Sequence, residues 1–161
     1  MLVAAMSDIH DNIWKLETAL KLAAQAEVLI FCGDFCAPFT LKQIAEGFKG
    51  RIHVVWGNND GDKWLLTRNA GNGGHVILHG DFGEVELDGS KIAITHYPQI
   101  AGPVAESGTY ATVFYGHDHT PNIKQEGKSL LINPGEVMGR FGRSTFAMYD
   151  TSTRKAEIMD V

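Results

Sequence analysis

Short apolar runs broken by polar turns organise this chain. Leu2 to Met6, Val28 to Cys32, Ile52 to Trp56, Ile92 to Thr95 and Thr112 to Tyr115 each have the length and residue types of a buried strand. Between the first two, Ile13, Leu16, Leu20 and Ala24 recur at helical spacing, opposite Lys15, Glu17 and Lys21, with Asp11 or Asn12 as the cap. The opening is thus a βαβ unit with a parallel pairing and a right-handed crossover. A second helix is predicted from about Phe39 to Phe48, and a short third one over Asp62 to Asn69, ended by Gly71-Asn72-Gly73-Gly74. From His75 the rhythm changes. Runs at 76–79, 84–87 and 91–95 are separated by Gly-Asp and Asp-Gly turn signals, which predicts antiparallel strands. A helix over Pro98 to Ser107, weakened by Gly102-Pro103, and strands near 112–115, 122–125, 129–132, 144–149 and 155–159 complete the pattern. No repeat or linker interrupts it, so two packed sheets flanked by helices is the economical architecture.

The 161 residues fit one domain over 1–161, enough to bury roughly 70% of the unfolded surface. A net charge of −5 with no Lys or Arg run argues against an extended nucleic-acid surface. The N-terminal apolar run turns polar at Ser7-Asp8 and reads as a strand rather than a signal peptide. No apolar stretch approaches the roughly 20 residues that span a bilayer, and a cytoplasmic protein is expected. Cys32 and Cys36, too close for a disulfide framework and wrongly spaced for a redox pair, are expected to be reduced structural thiols.

The chemistry lies where the runs stop. Each of the five is followed at once or within a few residues by Asp, Asn or His: Asp8 and His10, Asp34, Asn58 and Asp60, His96, and His117 with His119. Strand ends on one edge of an α/β sheet deliver their loops into one crevice. Carboxylate, amide and imidazole without thiolate suit Mn, Fe, Ni, Co or Zn and disfavour a closed structural zinc site. Asp34, the lone donor of its segment, is the natural bridge between two ions.

In order, Asp-x-His, Gly-Asp, Gly-Asn-x-Asp, His and Gly-His-x-His, closed by Asn133-Pro134-Gly135, resemble the metallophosphoesterase (calcineurin-like phosphoesterase) superfamily, in its small bacterial and archaeal phosphodiesterase branch. The resemblance runs from Asp8 to Gly135. It implies a four-layer α/β/β/α sandwich of two mixed sheets. It implies two divalent metal ions, Mn first, with Fe, Ni, Co, Zn or Mg as alternatives: Asp8, His10 and His119 hold one, Asn58, His96 and His117 the other, and Asp34 both. The implied reaction is hydrolysis of a small, possibly nucleotide-derived phosphate ester by a hydroxide held between the ions; the implied assembly is a homodimer.

One position departs from the family. Many members have His where this chain has Asn59, and that His protonates the leaving oxygen while the following Asp, here Asp60, orients it. An amide donates a hydrogen bond but transfers no proton near pH 7. Asn59 and Asp60 therefore stand as the catalytic positions, without a proton donor between them. A phosphomonoesterase and a scaffold like the retromer subunit of this fold are the alternatives; His10, commonly altered in that scaffold, speaks for the enzyme.

Other residues receive plainer roles. His53, His75 and His79 are expected at the surface or strand edges, and Trp14 in packing. Asn12 and Tyr97 are weak candidates for the rim of the site. Arg140 and Arg143 read as solvated loop charge, and Asp118 either supports a ligand or faces solvent.

Overall fold

The computed structural model describes residues 1–71 and 74–161. Its strands are β1 (Leu2–Met6), β2 (Val28–Phe31), β3 (Arg51–Val54), β4 (Val76–Leu78), β5 (Phe82–Leu87), β6 (Ser90–Thr95), β7 (Thr112–Phe114), β8 (Asn122–Glu126), β9 (Ser129–Asn133), β10 (Thr145–Asp150) and β11 (Lys155–Asp160). Its helices are α1 (Ile13–Leu22), α2 (Pro38–Gly47), α3 (Lys63–Gly71) and α4 (Pro98–Glu106). One sheet runs β11-β10-β1-β2-β3-β4 and the other β5-β6-β7-β9-β8.

Both sheets are mixed. In the first, β1 to β4 pair in parallel and β10 and β11 add antiparallel strands; in the second, β6, β7 and β9 are parallel between antiparallel edges. The change of sheet comes after β4, at β5, and not at His75 where the rhythm changes. The change of rhythm does not make β4 antiparallel, because α3 returns the chain to β3 in the βαβ manner.

Side-chain alternation creates the layers. Ala4, Met6, Leu29 and Phe31 face Leu16, Leu20, Leu41, Ile44 and Leu66 of α1 to α3. The alternate residues Val3, Ala5, Val28 and Ile30 meet Ile92, Ile94, Phe114 and Ile132 of the second sheet. On the far side Ala101 and Ala105 of α4 cover Ala93, Val113 and Leu131. The order is helices, sheet, sheet, helix. The last contact also explains why α4 forms through Gly102-Pro103: burial of its alanine face outweighs the local penalty.

The helix ends follow local chemistry. Asn12 caps α1, its side chain accepting from the Lys15 amide at 3.3 Å. Pro38 starts α2 one residue ahead of Phe39, its ring pre-set for a first helical position. The predicted glycine turn after α3 includes Asn72 and Gly73, which lie outside the described residues.

Two expectations fail. Trp14 is 75% exposed instead of packed, because it lies about 200° around α1 from the buried Leu16. His53 is buried, since Ile52 and Val54 point to the helices and alternation turns His53 toward the second sheet. There its Nδ1 lies 2.9 Å from Nε2 of His79. His75 and His79 flank the edge strand β4, and His75 Nε2 meets the Ala45 carbonyl at 2.9 Å.

Burial, then the charges of His79 and Arg51, lowers the His53 imidazole to about 4. The unfolded chain takes up this proton near its ordinary value of about 6.5. His53 thus contributes stability fully present above that pH and lost as pH falls toward 4. The urea midpoint of the wild type should drop more steeply from pH 7 to 4.5 than that of His53→Leu; equal slopes would contradict this assignment.

Candidate metal centre

The strand ends meet as the pattern predicted, but only through an unusual backbone. Asp8, His10, Asp34, His117 and His119 all have left-handed φ, between 44° and 78°. Such conformations are uncommon for residues with a Cβ and persist only where the surroundings hold them. The holders are hydrogen bonds between loops. The amides of Ile9 and His10 donate to the Asp34 carbonyl at 2.9 and 3.0 Å, and Met138 N donates to the Asp8 carbonyl at 3.1 Å. The His117 amide donates to Asp8 Oδ2 at 3.0 Å.

Two glycines make this approach possible. A Cβ on Gly57 would lie 2.0 Å from Asp34 Oδ1, and one on Gly116 would lie 1.9 Å from Ser7 Oγ. No side chain fits at either place.

Donor atoms converge in two groups. In the first, His119 Nε2 and His10 Nε2 lie 3.4 and 3.8 Å from Asp8 Oδ1, and His10 Nε2 lies 3.6 Å from Asp34 Oδ2. In the second, Asn58 Oδ1 is 3.1 Å from His96 Nε2 and 2.9 Å from His117 Nδ1, and Asp34 Oδ2 is 3.5 Å from His96 Nε2. Asp34 reaches both groups. Ligands about 2.1 Å from one ion, at octahedral to tetrahedral angles, stand about 3.0–3.4 Å apart. The observed spacings lie close to that range.

Hydrogen bonding fixes the imidazoles for this task. His119 Nδ1 faces the carboxylate of Glu136 at 2.8 Å, and His96 Nδ1 faces the Cys32 carbonyl at 2.7 Å. Both oxygens accept only, so each Nδ1 carries the proton and Nε2 is left with its lone pair toward the centre. Asp8 Oδ1 and His10 Nε2 are buried without a hydrogen-bond partner. An orphaned carboxylate oxygen beside an orphaned imidazole nitrogen is costly in a protein interior and is the arrangement a cation relieves. The residues fit a metal pair.

Without a cation, protons are drawn in. The Asp8 carboxylate, with Cys36 and Asp34, holds the His10 imidazole up to about 10. Burial opposes a charge on His96, yet Asp34 and Asp8 raise it. Burial likewise pushes the Asp34 carboxyl up, but bonds from His96 and Asn59 outweigh it and leave the group well below the ordinary carboxylate range. Metal loading would therefore displace protons.

Asn59 and Asp60 are both in place, with distinct partners. Asn59 donates to Asp34 twice, from its amide N to Oδ1 at 2.8 Å and from Nδ2 to Oδ2 at 2.7 Å. Asp60 is buried and accepts from the backbone amides of Asp34, Cys36 and Gly57 at 2.7–3.0 Å. Its bonds bind two loops together.

The rim differs from expectation in detail. Asn12 is turned inward, donating to the Met138 carbonyl at 3.0 Å, whereas Tyr97 stands 5.1 Å from His96 and 5.7 Å from His117, ring to ring. Asp118 supports its loop, accepting from Asn133 Nδ2 at 2.6 Å and from the Thr120 amide at 3.1 Å. Arg143 is paired with Asp160 at 2.8 Å through two nitrogens. Both cysteines are free, Cys32 buried and Cys36 with Sγ 3.6 Å from His10 Nδ1.

Glu136 is the residue that sequence reasoning missed. It is fully buried and accepts from His119 and from the amides of Phe141 and Gly142. The signal existed: β9 is one more apolar run with an acid three residues beyond its end.

A model of the calcineurin-like phosphoesterase superfamily domain matches residues 1–154. The chain belongs to this superfamily. A curated relative, phosphodiesterase MJ0936 of Methanocaldococcus jannaschii, is 33% identical over 165 residues, covering 96% of each chain. Among solved structures, an archaeal phosphodiesterase superposes with a TM-score of 0.92 at 30% identity over the whole of both chains. Vps29 of Entamoeba histolytica shares the fold, with a TM-score of 0.70 at 16% identity, covering 100% of this chain and 99% of that one. The family is one of hydrolases acting on phosphate esters, and its fold is the two-sheet sandwich described above. Among the described residues, no helix is long and apolar enough to cross a membrane.

Removing the Glu136 charge while keeping its shape should weaken metal binding about 10-fold or more, as loss of a carboxylate behind a ligand imidazole commonly does. Calorimetric titration of Mn²⁺ into chelator-treated Glu136→Gln is the check. An unchanged affinity would mean that Glu136 serves only the loop.

Proposed function

We propose that this protein is a phosphodiesterase working with two divalent metal ions. Asp8, His10 and His119 would hold one and Asn58, His96 and His117 the other, with Asp34 shared. The observation that carries the proposal is the pair of orphaned buried atoms, Asp8 Oδ1 and His10 Nε2, inside a donor set at metal-ligand spacing. The phosphodiesterase name of the 33% identical relative supports the choice of ester.

When bound, such ions lower the pKa of a coordinated water toward neutrality and offset charge on the transferring phosphoryl group. This chain's residues do the rest. Asp34, held in its ionised form by Asn59 and His96, keeps its carboxylate turned to both donor groups. Asp60 positions the Asn58-Asn59 turn against the Asp34 loop. Asn59 supplies a neutral N–H in the place where many relatives supply a proton. No side chain is required as nucleophile.

Mn²⁺ is the ion we expect first, since a mixed oxygen and nitrogen site tolerates several metals and availability decides. Family resemblance also leads us to read the protein as homodimeric, and the apolar patterning of the sequence leads us to read it as cytoplasmic.

Chelator-treated protein should lose hydrolysis of bis(p-nitrophenyl) phosphate and regain it with Mn²⁺ at two ions per chain. Faster turnover of an aryl monoester would make the enzyme a phosphomonoesterase. No turnover of either at full occupancy would favour the scaffold reading, against which the intact donor set with His10 speaks.

The lack of a proton donor has a second consequence. Rates across a series of diesters should fall steeply as the leaving group becomes more basic, aryl esters far exceeding alkyl ones. A flat dependence with chemistry rate-limiting would show that another group protonates the leaving oxygen.

A further inference from the structure

Large exposed apolar side chains include Trp14, Phe39, Trp64 and Phe141. Phe141 alone of these four has a ring contact with a candidate ligand: its ring lies 5.2 Å from that of His119, edge to face at 77°. It is nonetheless 72% exposed. We propose that Phe141, with Arg140, forms a subsite beside the metal centre for a planar aromatic group carried by the substrate. This inference rests on the phosphoesterase reading above.

The segment that bears Phe141 is built to hold it still. Glu136 Oε1 accepts from the amides of Phe141 and Gly142 at 2.6 and 2.7 Å, while Oε2 of the same buried carboxylate meets His119. Ser144 Oγ donates to the Val137 carbonyl at 2.7 Å, and the Arg143–Asp160 pair ties the far end to β11. Exposure of Phe141 is therefore not the result of a loose loop. A rigid apolar ring presented to solvent next to a polar centre is positioned to recognise a ligand.

The neighbours define that ligand. The Arg140 guanidinium lies 5.7 Å from the Phe141 ring centre. A phenyl ring and a guanidinium both favour flat π systems, through ring stacking and cation–π attraction. A phosphate held at Asp8, His10 and His119 would start its ester substituent beside this ring. The preference also suits the chemistry, because an aryl leaving group departs without the proton that Asn59 cannot give.

The flat group has two sources, an aryl ester or a nucleotide base, and binding to Mn²⁺-loaded protein separates them. Phenylphosphonate is compared with methylphosphonate, and adenosine 5′-monophosphate with ribose 5-phosphate, by calorimetry. In at least one pair the ring-bearing compound should bind more tightly, about three- to tenfold. Phe141→Ala should remove that preference and leave the ring-free compound unchanged, and Phe141→Trp should restore it. Equal affinities in both pairs, or an equal loss for ring-bearing and ring-free compounds, would overturn the subsite. Failure of all four to bind would instead strike at the phosphoesterase reading itself.

Discussion

The buried carboxylate of Asp60 accepts three backbone N–H bonds, from Asp34, Cys36 and Gly57, and so fixes the loop after β2 against the loop after β3. On that distance everything else in the centre depends. It sets Asp34 in left-handed backbone, brings Gly57 so close that a Cβ would collide with the carboxylate, and places Asn59 to donate to both Asp34 oxygens. Burial raises the Asp60 carboxyl, and the three amide bonds counteract that rise. A carboxylate partnered by amides can stay in the core, where an unpaired one could not.

Electrostatic tension is concentrated one layer further in. Asp8 and Asp34 are both buried and face imidazoles on Asp-x-His, Gly-His-x-His and the single His after β6. Negative charge gathered in this way draws cations, and either protons on His10 and His96 or metal ions satisfy it. Local charge and global charge thus answer different questions: the whole molecule is acidic at −5, while the centre is a built receptor for positive charge.

Around that receptor two side chains act on the centre without belonging to the candidate donor set. Asn59 offers a hydrogen bond without a proton, and Glu136 ties the ligand His119 to the segment carrying Phe141. The first bears on how a leaving group would depart, the second on how the His119 imidazole is held.

The candidate donor residues could be picked out in the sequence because they depend on residue type and on position after an apolar run, both local properties. Much of the strand and helix order followed for the same reason, through periodicity. Glu136 was not legible as a partner of His119, since the two are joined only by the packing of β9's loop against the Gly-His-x-His turn. His53 illustrates the same limit: alternation assigned its face, but its burial depends on tertiary packing there, His79 included, that no local pattern shows. Trp14 lies at the helical angle that leaves it in solvent. The sequence by itself determined which atoms are available to bind metal and that no proton donor stands at Asn59. Only the tertiary structure decided which nitrogen of each imidazole faces the centre, what Asp60 holds, and that Phe141 stands beside His119, because each is set by contacts between loops distant in the chain.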